Sequence, residues 1–129
     1  MENTDYIEFF KKDRYAALFD IKLTEVKPGY ARAILKITEK HLNAGDVAQG
    51  GALFTLADLT MAAAANANGR LAFSIQSDIR FLQSAFPGDI LYAEANEVLL
   101  HKTVCHYHVD IKKDTGELIA IFDGICYRK

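Results

Sequence analysis

Residues 50–69, GGALFTLADLTMAAAANANG, set the tightest limit on what this chain can fold into. Ala, Leu and Met dominate the run, and all three are good helix formers. Asn68-Gly69 supplies a helix stop. The predicted helix is apolar almost all round, so it must be buried on most sides. One such helix cannot lie on both faces of an open sheet. The chain has 129 residues, which suits one compact domain and leaves little material for a second core. The economical packing is a strongly curved antiparallel sheet wrapped around the helix.

The flanking segments supply that sheet. Lys27-Pro28-Gly29 is a strong turn signal between Ile21–Val26 and a run in which Tyr30, Arg32, Ile34 and Lys36 alternate with Ala31, Ala33, Leu35 and Ile37. Four further strand-like runs follow the helix: 71–82, 90–100, 103–112 and 118–128. In the first, Phe73, Ile75, Ile79 and Phe81 alternate with Ser74, Gln76, Asp78 and Arg80, which predicts an apolar and a polar face. The last two form a hairpin around Asp114-Thr115-Gly116-Glu117. Ahead of the sheet, Tyr6, Phe9, Phe10 and Ala17 fall on one face of a predicted helix from Thr4 to Phe19, capped by Thr4 or Asp5. The expected class is α+β. Residues 1–18 form an N-terminal helical segment and 19–129 the main domain. No doubly wound strand–helix–strand alternation is present.

Composition excludes several functions. Fifteen Lys+Arg against 17 Asp+Glu give a formal net charge of -2, which argues against a nucleic-acid binder working through a basic footprint. Half of the residues are hydrophobic, too many for a disordered chain of low net charge. Two Cys are too few for a disulfide scaffold. The start, MENTDYIEFFKKDRY, has no signal-peptide h-region, and the apolar run after Gly50 is broken by Asp58. The expectation is a cytoplasmic protein without membrane contact.

Asp58 is the one charged side chain in the long helix. Burying an ionised carboxylate is costly unless it is paired. It either points to solvent along a narrow stripe or serves as a general base or nucleophile. Gln49-Gly50-Gly51 opens the same helix. The first helical N–H groups lack helical partners and carry partial positive charge, and glycine lets a ligand approach the backbone. That could stabilise an oxyanion, or it could be an ordinary loop-to-helix turn. Eight residues separate Gly50 from Asp58, about 12 Å along a helix axis. One copy of the chain does not aim both at one atom, so either the substrate is long or the site joins two subunits.

His41-Leu42-Asn43, Gln49 to Asp58 and Ala64-Ala65-Asn66, with Asp78-Ile79-Arg80-Phe81-Leu82 and Pro87-Gly88-Asp89, resemble the hotdog-fold acyl-CoA thioesterases. Within them the pattern is most similar to the phenylacetate-pathway (PaaI-like) group, over residues 19–129. The resemblance implies a homodimer, or a tetramer of two dimers, with active sites across the interface. It implies that the Gly50 N–H polarises the thioester carbonyl and that Asp58 of the other subunit acts as nucleophile or base. Asn43 would position these groups and Ser74 would hold the water. Gln49 replaces the family's His; it can hydrogen-bond but cannot titrate near neutral pH. Coenzyme A enters as part of the acyl-CoA substrate, with no other cofactor and no metal. Gly51, Arg80 and Lys102 are the candidates for contact with it, and Arg70 is a further cation that could meet its phosphates.

Other signals compete. His106 and His108 share a strand face with Asp110 and could bind a metal, although a polar strand face explains them as well. If Thr115-Gly116 is a two-residue loop, Cys105 faces Cys126. Such a pair could be bridged on oxidation, whereas buried reduced thiols are the expectation in the cytosol. Phe9 and Phe10 either pack on the sheet or line an acyl pocket. Hydrolysis of an acyl-CoA, with an aryl or medium acyl group, is the leading reading. A non-catalytic acyl-CoA-binding protein is the first alternative. A hydratase or dehydratase is the second; it would want a His with an acid, and His41 is the only loop His before the helix.

Overall fold

The computed structural model describes residues 3–129, with the side chains of Asn3 and Thr4 left out. Two short helices, α1 (Asn3–Phe10) and α2 (Arg14–Ala17), precede strands β1 (Lys22–Lys27) and β2 (Tyr30–Lys36). A 3₁₀ turn at Glu39–His41 leads to the long helix α3 (Gly50–Asn66). Strands β3 (Ala72–Phe81), β4 (Ile90–Leu100), β5 (Val104–Lys113) and β6 (Leu118–Arg128) follow. The six strands form one antiparallel sheet in the order β1-β2-β4-β5-β6-β3. Among the described residues no helix is long and apolar enough to cross a membrane.

The sheet wraps α3. Leu53, Leu56, Leu59 and Met61 of the helix are buried with Leu35, Leu91, Val109 and Phe122 of the strands. Bulges interrupt β1 between Leu23 and Glu25, β3 at Ile75 and β4 at Val98. Each adds local twist, which lets a sheet curl around a single helix. Asn66 closes the helix onto β3. Its amide donates to the Ala62 carbonyl at 2.8 Å and the Ala72 carbonyl at 3.2 Å, and its oxygen accepts from the Ala72 N–H at 3.1 Å.

The N-terminal segment differs from the single helix expected. It breaks after Phe10, and Asp13 starts a new turn, its carboxylate accepting from the Ala16 N–H at 3.0 Å. Asp is a strong N-cap, and that preference wins over continuation. Helix α1 already begins at Asn3, so Asp5 lies in its first turn rather than at its cap. The Thr4 side chain, the other expected cap, lies outside the described residues.

Strand β3 also departs from strict alternation. Ser74 pairs with buried Cys126, and Ser77 pairs with Gly124, but Ile75 is extra. The bulge therefore turns Ser74, Ser77, Ile79 and Phe81 to the helix side. Phe73, Gln76, Asp78 and Arg80 take the outer face. In the β5–β6 hairpin, Cys105 does face Cys126. The route differs from the two-residue loop: Lys113 pairs with Glu117 across three residues, and a bulge at Ile119 restores the register. Both thiols are free and buried, and burial pushes the Cys126 thiol up to about 12, so neither is a ready nucleophile.

The outer face of β5 and β6 carries the histidine cluster. His106 Nε2 lies 2.9 Å from Asp123, His108 Nδ1 3.1 Å from the same oxygen, and His108 Nε2 2.9 Å from Asp110. A ring with a carboxylate at each nitrogen is satisfied only as imidazolium. The imidazoles are thus bound to carboxylates rather than arranged around an ion, and no metal-holding group occurs among the described residues. Desolvation works against the charge on His108, but the bonds to Asp110 and Asp123 outweigh it and raise its pKa. A raised folded pKa gives stability that is complete below the unfolded value of about 6.5 and is lost as pH rises through the folded value. Wild-type Tm should therefore fall on going from pH 6 to pH 9 more steeply than that of His108→Gln. Parallel Tm–pH curves would overturn this.

Candidate active site

The N-terminus of α3 is held from three sides. Gln49 is its N-cap, with a side-chain oxygen that accepts from the Gly51 N–H. A Cβ on Gly51 would lie 2.5 Å from that oxygen, so glycine makes room for the cap. The Gln49 N–H donates to the His41 carbonyl at 2.8 Å, and the Ala48 N–H to the Ala85 carbonyl at 2.8 Å. The Asn43 side-chain oxygen accepts from the Gly45 N–H at 2.8 Å and the Val47 N–H at 3.3 Å, folding residues 43–47 into a tight loop. The Gly50 N–H, at the first helical position, has no partner among the described residues. Asn43, Gly50, Phe81 and Ser84 line one cavity of about 390 Å³. The Phe81 ring lies against Gly50, where an added Cβ would come within 2.8 Å of its tip.

His41 is committed elsewhere. It is 2% exposed, its Nδ1 accepts from the Thr38 N–H at 2.9 Å, and its Nε2 donates to the Phe19 carbonyl at 2.8 Å. Both nitrogens are used by backbone in one neutral tautomer. It cannot supply the proton transfers of a hydratase.

Asp58 stands halfway along α3. The positions of α3 that are not buried include Gly51, Thr55, Asp58, Ala62 and Asn66, one stripe along the helix. Asp58 is half-buried there and makes no hydrogen bond or ion pair among the described residues. Burial, then the nearby negative charge of Asp13, raises its pKa above the usual carboxylate range. The Asp58 charge is also felt by the buried Cys126 thiol. Cys126 pairs with Ser74, whose hydroxyl lies 3.1 Å from that of Ser77. Asp58 is thus within electrostatic reach of Asp13, the α2 cap, and of Cys126, the β6 partner of Ser74.

Not every candidate gathers near Asp58 or Gly50. Arg80 pairs with Ile121 on the outer face, whereas Lys102 sits in the turn beside Arg128. Seven residues of β6 separate those levels, about 23 Å, so Arg80 and Lys102 do not form one anion site within a subunit. The Arg70 guanidinium donates to the carbonyls of Lys102, Arg128 and Lys129 and ties down that end of the sheet. The structure adds Phe81, Ser77 and Asp13. Asp13 carries no reading in the sequence, where one continuous helix is expected to run through it, and its approach to Asp58 depends on where α2 lands.

The comparisons with known proteins fit this geometry. The family model described as Thioesterase superfamily matches residues 45–120, more than half of the chain. The chain belongs to the thioesterase superfamily. Among superfamily relatives, a protein of Archaeoglobus fulgidus named "Putative esterase" is 39% identical over 124 residues, covering 96% of this chain and 79% of that one. The acyl-coenzyme A thioesterase PaaI of Escherichia coli is 30% identical over 119 residues, covering 92% and 85%. The solved structure of that PaaI superposes with a TM-score of 0.91, covering 95% of this chain and 88% of the other. A Streptococcus mutans protein solved with acetyl-CoA shares the fold at a TM-score of 0.82 and 23% identity, covering 84% and 88%. The curved sheet around one helix is the hotdog fold of this superfamily.

Proposed function

We propose that the protein hydrolyses acyl-CoA thioesters, with Asp58 as general base and the Gly50 N–H as oxyanion donor from a second copy of the chain. The observation that carries the reading is Asp58 itself. A half-buried carboxylate without a partner costs stability, and it lies on the one open stripe of an otherwise buried helix. The E. coli thioesterase and the acetyl-CoA-bound Streptococcus protein supply the substrate class. Asn43 shapes the loop ahead of Gly50 through its side-chain oxygen, which leaves its amide N–H groups available to a substrate. Gln49 takes over the capping of α3 and has no proton to transfer. Gly51 and the cations Arg80 and Lys102 are the remaining contacts for the coenzyme, each acting from its own subunit.

The chemistry balances without a metal. Asp58 removes a proton from a water held by Ser74 and Ser77, and the oxygen bonds to the carbonyl carbon. The developing oxyanion is met by the Gly50 N–H. The tetrahedral adduct collapses, the C–S bond breaks, and the thiolate leaves with the proton returning from Asp58. A thiolate is a good leaving group, so positioning and carbonyl polarisation do most of the catalysis.

Strand β3 supports the second copy. It is an edge strand with one unpaired side, and Phe73, Ile75 and Phe81 on it, with Leu82 directly after it, are 50–62% exposed. A long apolar edge invites pairing with an identical strand about a two-fold axis. Helix α3 runs antiparallel to β3, with Gly50 beside Phe81 and Asn66 beside Ala72. The 12 Å from Gly50 to Asp58 equals about four strand residues. A two-fold near Ile79 brings the second copy's Gly50 to Asp58. That solves the spacing problem.

The test is free-thiol release from acetyl-, octanoyl-, benzoyl- and phenylacetyl-CoA, followed by mixing of subunits. Wild-type protein should release thiol from at least one ester. Asp58→Asn and Gly50→Val should each be inactive, and their mixed dimer should recover one working site in two. Saturable binding with no release would identify a binding protein instead. Release without recovery in the mixed dimer would place the site within one subunit.

A further inference from the structure

Position 50 does not need glycine for its backbone, because its φ lies outside the left-handed region. The space of the missing side chain is taken by Phe81. An added Cβ would lie 2.8 Å from Cζ of that ring and 3.2 and 3.3 Å from its two Cε atoms, so the ring meets Gly50 with its tip. Phe81 ends β3 and pairs with Ala120 of β6. Directly after it, the Leu82 and Gln83 N–H groups both donate to the Ile119 carbonyl, at 2.9 and 3.1 Å. The backbone at Phe81 is thus fixed to β6, while the residue stays 53% exposed and borders the cavity shared with Asn43 and Gly50. The hydrogen bonds that hold the start of α3 run to the Gln49 side chain, to His41 and to Ala85, all in the loops before the helix and after β3. None of these reaches β3 itself. The Phe81 ring does.

We propose that Phe81 is a positioning residue: its ring, seated in the Cβ space of Gly50, sets the Gly50 N–H against the β3 edge. The inference rests on the hydrolysis reading above, in which that edge also locates the second copy's Asp58. It adds the device that holds donor and base at one distance. An oxyanion is stabilised only by a donor standing about 2.7–3.1 Å from where the charge develops. The cap and the backbone bonds register the helix start to its own loops, whereas the base lies across β3. A first turn free to slide past Phe81 would keep the N–H and lose the distance. Glycine at position 50 is then the partner of the ring, since any larger side chain displaces it.

The experiment measures kcat, KM and Tm for Phe81→Ala, Phe81→Leu, Gly50→Ala and the double variant Gly50→Ala/Phe81→Leu on the ester that wild type cleaves fastest. Phe81→Ala should lower kcat about 10–100-fold, the scale of a misplacement of about 1 Å, with KM changed less than about threefold. Phe81→Leu keeps an apolar but shorter side chain and should lose less. Gly50→Ala retains the N–H and should fold, because the atom it displaces is the far end of an exposed side chain. Its kcat should nonetheless fall at least about tenfold. In the Phe81→Leu background the same methyl should cost less than about threefold. An equal cost in both backgrounds would show that the methyl obstructs the ligand rather than the ring, and would overturn the assignment. So would Phe81→Ala with an unchanged kcat or a raised KM alone. Gly50→Ala leaves the β3 edge untouched, so it and the double variant carry the test if Phe81→Ala proves monomeric by size-exclusion chromatography. NMR relaxation of the Gly50 amide needs no turnover. Its order parameter should drop from the rigid range of about 0.85 toward about 0.6 in Phe81→Ala. An unchanged value would remove the positioning role even where activity falls. Wild type that cleaves none of the esters would sink the hydrolysis reading, and the ring would then be judged by the order parameter alone.

Discussion

Asp58→Asn should lower kcat for the preferred acyl-CoA by about 10²–10⁴-fold, the usual contribution of a positioned general base. The same substitution should raise stability at neutral pH. The two effects have one cause. Asp58 is held half-buried, without a hydrogen bond or ion pair among the described residues and near the charge of Asp13. The fold bears a cost for keeping that carboxylate ionised, and the amide removes it. The sign follows from the raised folded pKa: ionised Asp58 disfavours the folded state above that pKa. The gain in Tm should therefore be present at pH 7 and shrink toward acid pH, where the carboxyl is neutral in both states. Thermal melts of wild type and Asp58→Asn at pH 4.5 and pH 7, beside the thiol assay, check both halves. A misfolded variant would lose activity and Tm together. A variant that loses Tm at pH 7 would show that Asp58 is a structural group.

Asp13 gives a graded form of the same test. Its charge is the second cause, after burial, of the raised Asp58 pKa. The base must be ionised to act, so kcat/KM should fall as pH drops through that raised value. Asp13→Asn keeps a good N-cap on α2 and removes the charge. The acid limb of the pH–rate profile should move to lower pH with the plateau little changed. An unmoved limb would mean that Asp13 is too well screened to matter.

The parts of this site that could be read from the sequence are those written in local pattern. The helix and its one charge needed only the composition of residues 50–69. Curvature followed because a helix apolar on nearly every side must be wrapped. The pairing of Ser74 with Ser77 stayed hidden because the extra residue at Ile75 brings Ser74 to the face of Ser77, Ile79 and Phe81, whereas alternation counted through the bulge sets Ser74 on the opposite face. The Asp13–Asp58 approach spans 45 positions and depends on where α2 lands. Cys105 facing Cys126 shows the opposite case, since the expected register arises from a three-residue loop plus a bulge whose offsets cancel. Gln49 is instructive too. At the family's His position it looks like a loss, yet it caps the helix that presents Gly50.

Gly124→Ala should be the most destabilising single-methyl change near the site, costing about 1–3 kcal/mol, the range for overpacking a filled core. Gly124 lies within β6, opposite Tyr107 on one side and Ser77 on the other. Its backbone needs no left-handed conformation, so the glycine is required for space alone. An added Cβ would fall 2.1 Å from Met61 Sδ and 2.9 Å from Met61 Cε. Met61 is fully buried, so its thioether has no open side to swing into, although its flexibility keeps the cost finite. Either α3 or β6 must shift. These are the elements that carry Asp58 and, through Gly124, register Ser77 against it. Activity should therefore fall by more than the loss of folded protein explains. Denaturant unfolding of Gly124→Ala, Met61→Ala and the double variant checks the cause. Met61→Ala alone leaves a cavity and destabilises. With both changes the methyl occupies part of that cavity, so the double variant should be more stable than the sum of the single losses. Strict additivity would mean that the helix–strand contact at Gly124 is looser than the structure shows.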